Sequence, residues 1–225
     1  MSVEETVFKN LMKNMVFVDE GTLLIPSTNV TTSQKPSISL APFYINRYPV
    51  SKKEWLVIMG KDIRMEYDNF PIVNVSWYDC QDFINRLNRL TKGGFRLPSK
   101  LEWEFAASGG GFSHGYTYSG SNNPDDVAWY KTGLQGSIHE IALKRPNELG
   151  LYDMSGNVWE WCQDSCPYHY NPLNRKKNFI EDFPSSHRVI KGGSGGTEKE
   201  LCQIPFTYGQ HPDYRGCYVG FRIAL

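Results

Sequence analysis

The sequence predicts one mixed α+β domain, residues 1–225, with few helices and a large share of irregular loop. At 225 residues the chain is near the upper end of what a single hydrophobic core holds. Helical periodicity is clear before about residue 112. Beyond that point, short apolar runs alternate with Gly, Asn, Pro and Ser clusters, which is typical of loops and short strands. No repeat, low-complexity tract or linker divides the chain.

Three short helices are predicted by the same start signal. A serine hydroxyl can cap a free helix amide, and a carboxylate three residues later can return the bond. The first helix is expected to end at Gly60 and the third at 109–111, because glycine accepts the left-handed conformation that closes a helix. In the second helix, apolar residues from Cys80 to Leu90 recur at helical spacing, so one face is expected to pack on a core. The three capping pairs are Ser51/Glu54, Ser76/Asp79 and Ser99/Glu102.

Four short apolar runs are candidate strands, and the first and last are expected to pair with each other. The polar stretch Asn171–Pro184 is predicted to be a mobile surface loop. The candidate strands are Met15–Val18, Phe43–Ile45, Arg188–Lys191 and Tyr218–Ile223.

The charge balance predicts a partner that is recognised locally. Lys plus Arg number 24 and Asp plus Glu number 24, so no long-range field favours nucleic acid or an anionic membrane. Lys9 and Lys13 interrupt the N-terminal apolar pattern, and no stretch approaches a membrane span, which predicts a cytoplasmic protein without membrane insertion. Export or surface display by another route stays open. The five cysteines are an odd number, which favours reduced thiols.

Five segments occur in the order typical of one protein family. Together they resemble the formylglycine-generating, or sulfatase-modifying, enzyme family over nearly the whole chain. The resemblance implies that family's variant of the C-type-lectin-like fold. The segments are PFYINRYPVSKKEW (42–55), FPIVNVSWYDCQDFINRLN (70–88), FRLPSKLEWEFAASGG (95–110), GLYDMSGNVWEW (150–161) and RVIKGGS…GFR (188–222).

Within GLYDMSGNVWEW, two acids flank a turn that contains glycine. Carboxylate and carbonyl oxygens are the ligands that Ca²⁺ prefers. The family resemblance implies a structural calcium ion held by the side chains of Asp153 and Glu160 and the carbonyls of Gly156 and Val158. The alternative is a turn in which Asp153 caps local amides while Glu160 forms a surface pair.

The region after the paired glycines decides whether the resemblance extends to catalysis. Family enzymes oxidise a sulfatase cysteine with Cu(I), a soft ion that requires two thiolates. Those cysteines lie three and eight residues after the serine of the GGS motif, where this sequence has Thr197 and Cys202. A hydroxyl cannot replace a thiolate toward Cu(I), so neither copper nor catalysis is expected. If the chain were active, Cys202, Ser194 and Trp159 would form the site, and Cys217 could reach it in space.

Two other enzymatic interpretations are weaker. The spacing of Cys162, Cys166 and His169 resembles that of zinc ligands but lacks a fourth ligand at a standard interval. His211 could meet one of the two C-terminal cysteines in a nucleophile pair, although no third orienting group is evident nearby.

The tail, residues 188–225, also resembles the variable region of diversity-generating retroelement target proteins, which are ligand-binding proteins on the same fold. Gln203 departs from that pattern, because arginine is common there. The constant frame would be Gly192–Ser194, Cys202, Pro212, Arg215 and Gly220–Arg222.

The residues between these frame positions are mostly tiny or aromatic, which suits an exposed binding surface. The alternative is an ordinary loop with buried tyrosines. We therefore predict a non-catalytic protein that binds a protein or other macromolecular ligand through its tail. The competing function is a sulfatase-modifying oxidase with an altered copper site. The candidate contact residues are Gly196, Thr197, Phe206, Tyr208, Gly209, His211, Tyr214, Gly216, Cys217 and Tyr218.

Overall fold

The computed structural model describes residues 3–24, 37–61, 69–133, 136–166, 169–171, 176–178 and 187–225. Within them, the helices are α1 Val3–Lys13, α2 Lys52–Ile58, α3 Trp77–Thr91, α4 Lys100–Ala107 and α5 Pro124–Val127. The strands are β1 Met15–Val18, β2 Gly21–Leu24, β3 Ser37–Leu40, β4 Phe43–Asn46, β5 Trp159–Ser165, β6 His169–Asn171, β7 Lys176–Asn178, β8 Arg188–Lys191, β9 Tyr208–Gln210 and β10 Val219–Gly220. These short elements and long connections confirm the predicted mixed α+β class.

The strands of the described chain form one four-stranded sheet, ordered β10-β5-β8-β9, and three two-stranded sheets, β1-β4, β2-β3 and β6-β7. In the larger sheet β10 runs parallel to β5, while β5-β8 and β8-β9 are antiparallel. Among the described residues, no helix combines the length and the apolar character needed to cross a membrane.

The three predicted capping boxes are confirmed. In α2, α3 and α4 the serine side chain accepts from the backbone amide three residues on, and the carboxylate at that position bonds back to the serine amide. Gly60 and Gly109 follow α2 and α4 with φ of 65° and 94°, as their left-handed role requires. The predicted apolar face of α3 is buried as far as Leu87, while Leu90 is 59% exposed.

The first helix and the pairing of β1 differ from the sequence prediction. Helix α1 was not predicted, although Val7 and Leu11 lie one turn apart and are buried. The expected pairing of the first and last strands is wrong, because β1 pairs with β4 instead. The chain end occupies the other edge of β4, where Asn46 N–H donates to Ile223 O at 2.8 Å and Tyr44 N–H to Leu225 O at 3.0 Å.

The predicted loop Asn171–Pro184 contains strand structure. Residues His169–Asn171 of β6 pair antiparallel with Lys176–Asn178 of β7. The other residues of that predicted loop lie outside the described chain.

Strand β5 separates two hydrophobic clusters. Trp159 and Trp161 point into the first cluster, with α2, α3 and Phe221. Cys162 points into the second, with Trp103. Because side chains alternate across a strand, Glu160 is directed to the same side as Cys162 and becomes completely buried.

Candidate functional site

The carboxylate of Glu160 is neutralised by an arginine in the protein interior. Arg222 Nε lies 2.6 Å from Glu160 Oε2, and Arg222 Nη2 lies 2.6 Å from Oε1. Both side chains are completely buried. Trp103 Nε1 donates a further bond to Oε2 at 2.6 Å. Arg222 also donates to the carbonyls of Asn46 and Tyr152, so it joins β4, the 150–161 segment and the chain end.

Asp153 bonds to a neighbouring loop and, within its own turn, to the side chain of Asn157. It is 4% exposed, and its Oδ2 accepts from Ala142 N at 2.8 Å. Burial raises the pKa of Asp153 to about 6, against the lowering effects of the Ala142 hydrogen bond and of Arg222. Asn157 donates to Asp153 Oδ1 and also bonds to both the N–H and the C=O of His139. The 150–161 segment thereby fixes residues 139–142.

Gly156 has a steric role in this turn. Its φ is 79°, and a Cβ there would collide with the backbone of Trp129. Glycine is therefore required by close backbone approach as well as by conformation.

The carboxylates of the predicted calcium site already have hydrogen-bond partners, so they are not arranged to accept a cation. Both oxygens of Glu160 and one oxygen of Asp153 already accept bonds of 2.6–2.8 Å, and Arg222 balances the charge of Glu160. Among the residues described, no group of three His, Cys, Asp or Glu side chains could hold a metal ion. Calcium binding by Asp153, Gly156, Val158 and Glu160 stays a prediction, in which the ion must compete with Arg222. The alternative of a surface pair at Glu160 is wrong, since the pair is buried.

Cys202 has a hydroxyl beside it, not a second thiol. Its side chain is completely buried in a small cluster with Tyr118 and Val127. Burial raises the pKa of Cys202 to about 12, although a hydrogen bond with Thr197 opposes the shift. The Thr197 hydroxyl donates to Ser194 O at 3.0 Å and accepts from Ser194 N at 2.9 Å. Thr197 therefore closes a turn, and burial keeps the Cys202 thiol protonated near neutral pH.

Cys217 does not restore a thiol pair. It is the one exposed cysteine of the five, whereas Cys202 is buried, so the two sulfurs do not open onto one accessible pocket. His211 is also exposed, and its Nδ1 accepts from Asp213 N and lies 3.6 Å from the Asp213 carboxylate. The weaker alternative, a Cys–His nucleophile pair, gains no support from these contacts.

Ser194 and Trp159 have structural contacts. The Ser194 hydroxyl accepts from Gly196 N at 3.2 Å, and Ser194 is completely buried. The Trp159 ring lies 5.7 Å from that of Phe206 and 6.2 Å from that of Tyr208. Trp159 therefore links the core to the exposed part of the tail.

The candidate contact residues divide into exposed and buried groups. Phe206 is 4% exposed and belongs to the core, so its prediction as a ligand contact is wrong. Gly209 and Gly216 are also buried. The remaining residues are exposed or half-buried, and we refer to them as the tail surface: Gly196, Thr197, Tyr208, His211, Tyr214, Cys217 and Tyr218.

Two glycines let tyrosine rings lie close to the backbone of the tail. A Cβ on Gly216 would lie 2.6 Å from a ring carbon of Tyr214, and one on Gly196 would lie 2.7 Å from the ring of Tyr218. Tyr218 is further held by a 2.9 Å bond from its hydroxyl to Gly136 O. The mixture of tiny and aromatic residues thus has a packing explanation: each glycine accommodates one ring.

A buried lysine that sequence reasoning missed anchors the start of the tail. Lys191 Nζ lies 2.8 Å from Glu104 Oε1 and 2.8 Å from Ile204 O, and it also donates to Phe206 O and the Thr207 hydroxyl. Burial lowers the pKa of Lys191, and the Glu104 carboxylate opposes that shift. The sequence pattern that could have indicated a buried lysine is the position of Lys191 at the end of the apolar run RVIK.

The other end of the tail is attached to α3. Arg215 bonds to both oxygens of Asp79, at 2.8 and 2.9 Å, and Asp79 also caps α3. Tyr78, beside it, is 50% exposed, and its ring lies 5.5 Å from that of Trp77. Tyr78 was not among the predicted contact residues, because all of those were taken from the tail.

A family model, the sulfatase-modifying factor enzyme 1-like domain, matches residues 2–225. The chaperone protein LppX of Paenibacillus barcinonensis is 30% identical over 86% of this chain and 82% of its own length. The formylglycine-generating enzyme of Mus musculus is also 30% identical, over 92% of this chain and 57% of its own length. The chain thus spans little more than half of the mouse enzyme.

A solved structure, Treponema denticola variable protein 1, superposes with a TM-score of 0.75 at 25% identity, covering 93% of this chain and 94% of that protein. The expected fold and the resemblance to a variable protein are both confirmed. Since the family model covers almost every residue, the chain belongs to the sulfatase-modifying factor enzyme 1-like family, which is the formylglycine-generating enzyme family.

Proposed function

We propose that this chain is a non-catalytic binding protein that presents its tail surface to a protein partner. The observation that carries the proposal is Thr197 beside the buried Cys202. Cu(I) requires soft thiolate ligands, and here one ligand position holds a hydroxyl that is already bonded to Ser194. The other holds a thiol whose pKa burial raises to about 12, so the thiolate is strongly disfavoured near neutral pH.

The tail surface has the composition of a binding face. Tyr208 and Tyr214 are 39% and 43% exposed, and tyrosine combines a large contact area with a polar tip at low entropic cost. Lys191 at one end and Arg215 at the other fasten this surface to the scaffold. A fixed aromatic surface reduces the ordering cost of association. Similarity to a protein named as variable and to one named as a chaperone supports a binding role.

Copper binding separates this proposal from a sulfatase-modifying oxidase. We expect no stoichiometric Cu(I) binding by the unmodified chain under anaerobic conditions, and no oxygen-dependent conversion of a cysteine-containing sulfatase peptide. Thr197→Cys is the matched positive control, because it restores a thiol of similar size beside Cys202 and should bind Cu(I). Stoichiometric Cu(I) together with peptide conversion by the unmodified chain would overturn the proposal.

The binding role can be tested through the exposed Cys217. A photo-crosslinker attached to this thiol should capture a discrete protein from cells of the source organism, because the other four cysteines are buried. Tyr214→Ala should abolish capture. Tyr44→Ala, which removes a tyrosine of comparable exposure (42%) from β4, should not. Equal capture by both variants would show that the tail surface is not the contact.

We further propose that a retroelement diversifies the tail. This proposal predicts a reverse-transcriptase gene and a near-copy of the tail-coding segment beside this gene. Sequencing of many isolates should then find substitutions concentrated at exposed positions such as Tyr208 and Tyr214, with Cys202 and Arg222 constant. Substitutions spread evenly over the tail would contradict it.

A further inference from the structure

A cavity of about 590 Å³ lies between α1, the start of α2 and residues 141–142. Its volume is within the range of small-molecule sites, about 300–1,000 Å³. It shares no residue with the tail surface, so a ligand there would be independent of the proposed partner.

The lining of this cavity offers unengaged amide groups. Asn10 lies near the C-terminal end of α1, Asn14 directly follows that helix, and Asn69 lies in the segment before α3. Asn10 and Asn69 are exposed and Asn14 is half-buried, and within the described residues the side-chain amides of these three asparagines bond to no other protein group. Each amide can both donate and accept, so together they can bind several neighbouring hydroxyl groups.

One carboxylate and one aromatic ring complete the lining. Glu54 Oε2 accepts from the Ser51 amide at 2.8 Å and from the Ser51 hydroxyl at 2.9 Å, which holds the acid in place. Burial raises the pKa of Glu54. Tyr48 is half-buried, and its ring lies 5.4 Å from that of Tyr152. Glu54 supplies an acceptor, and Tyr48 supplies an apolar face with a hydroxyl tip.

The backbone at the cavity is also unusual. Ala142 lines it with a φ of 67°, which is rare for a residue with a side chain. Its N–H is directed to the Asp153 carboxylate. Strained backbone positions are common at ligand sites, where neighbouring contacts hold the unfavourable conformation in place.

We propose that this cavity binds a small neutral polyhydroxylated molecule of the size of a monosaccharide. Three free amides and an oriented carboxylate match vicinal hydroxyls, and the Tyr48 ring matches the C–H face of a sugar ring. Lys53 and Glu54 are the charged residues of the lining, and their charges cancel, so nothing in it favours a charged ligand.

The test is titration of the full chain with a panel of free aldohexoses and N-acetylhexosamines, followed by saturation-transfer NMR and calorimetry. At least one sugar should bind with a Kd on the order of 1 mM. Asn10→Ala should weaken that binding about fivefold, the effect of one lost hydrogen bond. This variant should fold normally, because alanine favours the helix.

Two controls make the result decisive. Lys9→Ala changes an exposed neighbour on α1 that does not line the cavity, and it should bind the sugar like the unmodified chain. Tyr214→Ala should also bind it normally, so failure of the tail-surface proposal and failure of this one are distinguishable. Binding of free amino acids but no sugar, absence of any sugar binding at tens of millimolar, or equal sugar binding by Asn10→Ala and Lys9→Ala would each overturn the proposal.

Discussion

Glu160 and Arg222 form a two-point ion pair with both contacts at 2.6 Å and neither side chain exposed. The pair joins β5 to the end of the chain across 62 residues. A charged pair in the interior is tolerated only when its remaining polar atoms also find partners. Trp103 supplies one for Glu160, and the carbonyls of Asn46 and Tyr152 supply others for Arg222.

Removal of the Glu160 charge is expected to destabilise the protein strongly. Glu160→Gln keeps the side-chain volume but leaves the Arg222 charge buried without its counter-ion, which costs about 3–5 kcal/mol. Urea unfolding measures the change in the free energy of unfolding. A loss below 1 kcal/mol, of the size typical for surface pairs, would show that water reaches Arg222.

Metal removal distinguishes the ion pair from the predicted calcium site. Because Arg222 already balances Glu160, an ion at the predicted site must compete with it, and the prediction requires a higher melting temperature in millimolar CaCl₂ than in excess EDTA. An ion bound by the folded chain alone would raise the melting temperature with its concentration. A calcium-dependent rise that disappears in Asp153→Asn would support the site implied by the family resemblance, and equal melting temperatures in both solutions would contradict it.

Phe206→Ala and Tyr214→Ala should separate the core from the binding face. Phe206 is 4% exposed and Tyr214 is 43% exposed. Truncation of the buried ring should cost about 3–5 kcal/mol, whereas truncation of the exposed ring should change stability by less than about 0.5 kcal/mol. Chemical denaturation of both variants tests this, and a large loss in Tyr214→Ala would make that tyrosine a packing residue.

Lys191 should keep residues 204–207 in their folded conformation, although it is buried and does not belong to the tail surface. Lys191→Met leaves Glu104 and the carbonyls of Ile204 and Phe206 without their shared donor, at a cost of about 3 kcal/mol. Hydrogen exchange should accelerate at residues 204–207. The matched control is Lys100→Met, which removes the more exposed partner of the same Glu104 and should cost less than about 1 kcal/mol. Unchanged exchange in Lys191→Met would contradict the anchoring role.

The Arg96–Glu102 pair should make stability depend on pH. Burial acts to raise the pKa of Glu102, but its bonds to Arg96 at 2.6 and 2.7 Å and to the Ser99 amide outweigh burial and lower it. The unfolded chain therefore takes up the proton first as pH falls. The stabilisation is complete above the ordinary glutamate value of 4.5 and is lost as pH falls through the lower folded value.

Glu102→Gln isolates this contribution, because glutamine can still serve in the capping box. The variant should be about 1 kcal/mol less stable than the unmodified chain near neutral pH, and the difference should vanish in acid. Thermal melts across the acid range measure it, with the exposed Glu140→Gln as control. A constant difference at every pH would mean that the loss is not electrostatic.

The sequence by itself determined the starts of three helices and the family. The capping boxes of α2, α3 and α4 were predicted correctly because each joins residues three apart, and their geometry follows from the helix alone. The order of five motifs predicted the fold. The sequence also places Thr197 where the family resemblance implies a thiol, and the effect on copper stays a prediction.

Tertiary structure decided which residues those motifs bring together. Packing placed Arg222 against Glu160, a pairing that the motif around Glu160 did not predict. Phe206 was predicted to be exposed like Tyr214, yet it packs in the core on Trp159. Burial and charge pairing depend on segments distant along the chain, such as Lys191 and Glu104, 87 residues apart. No local pattern encodes such a contact, because it exists only when the whole core is assembled.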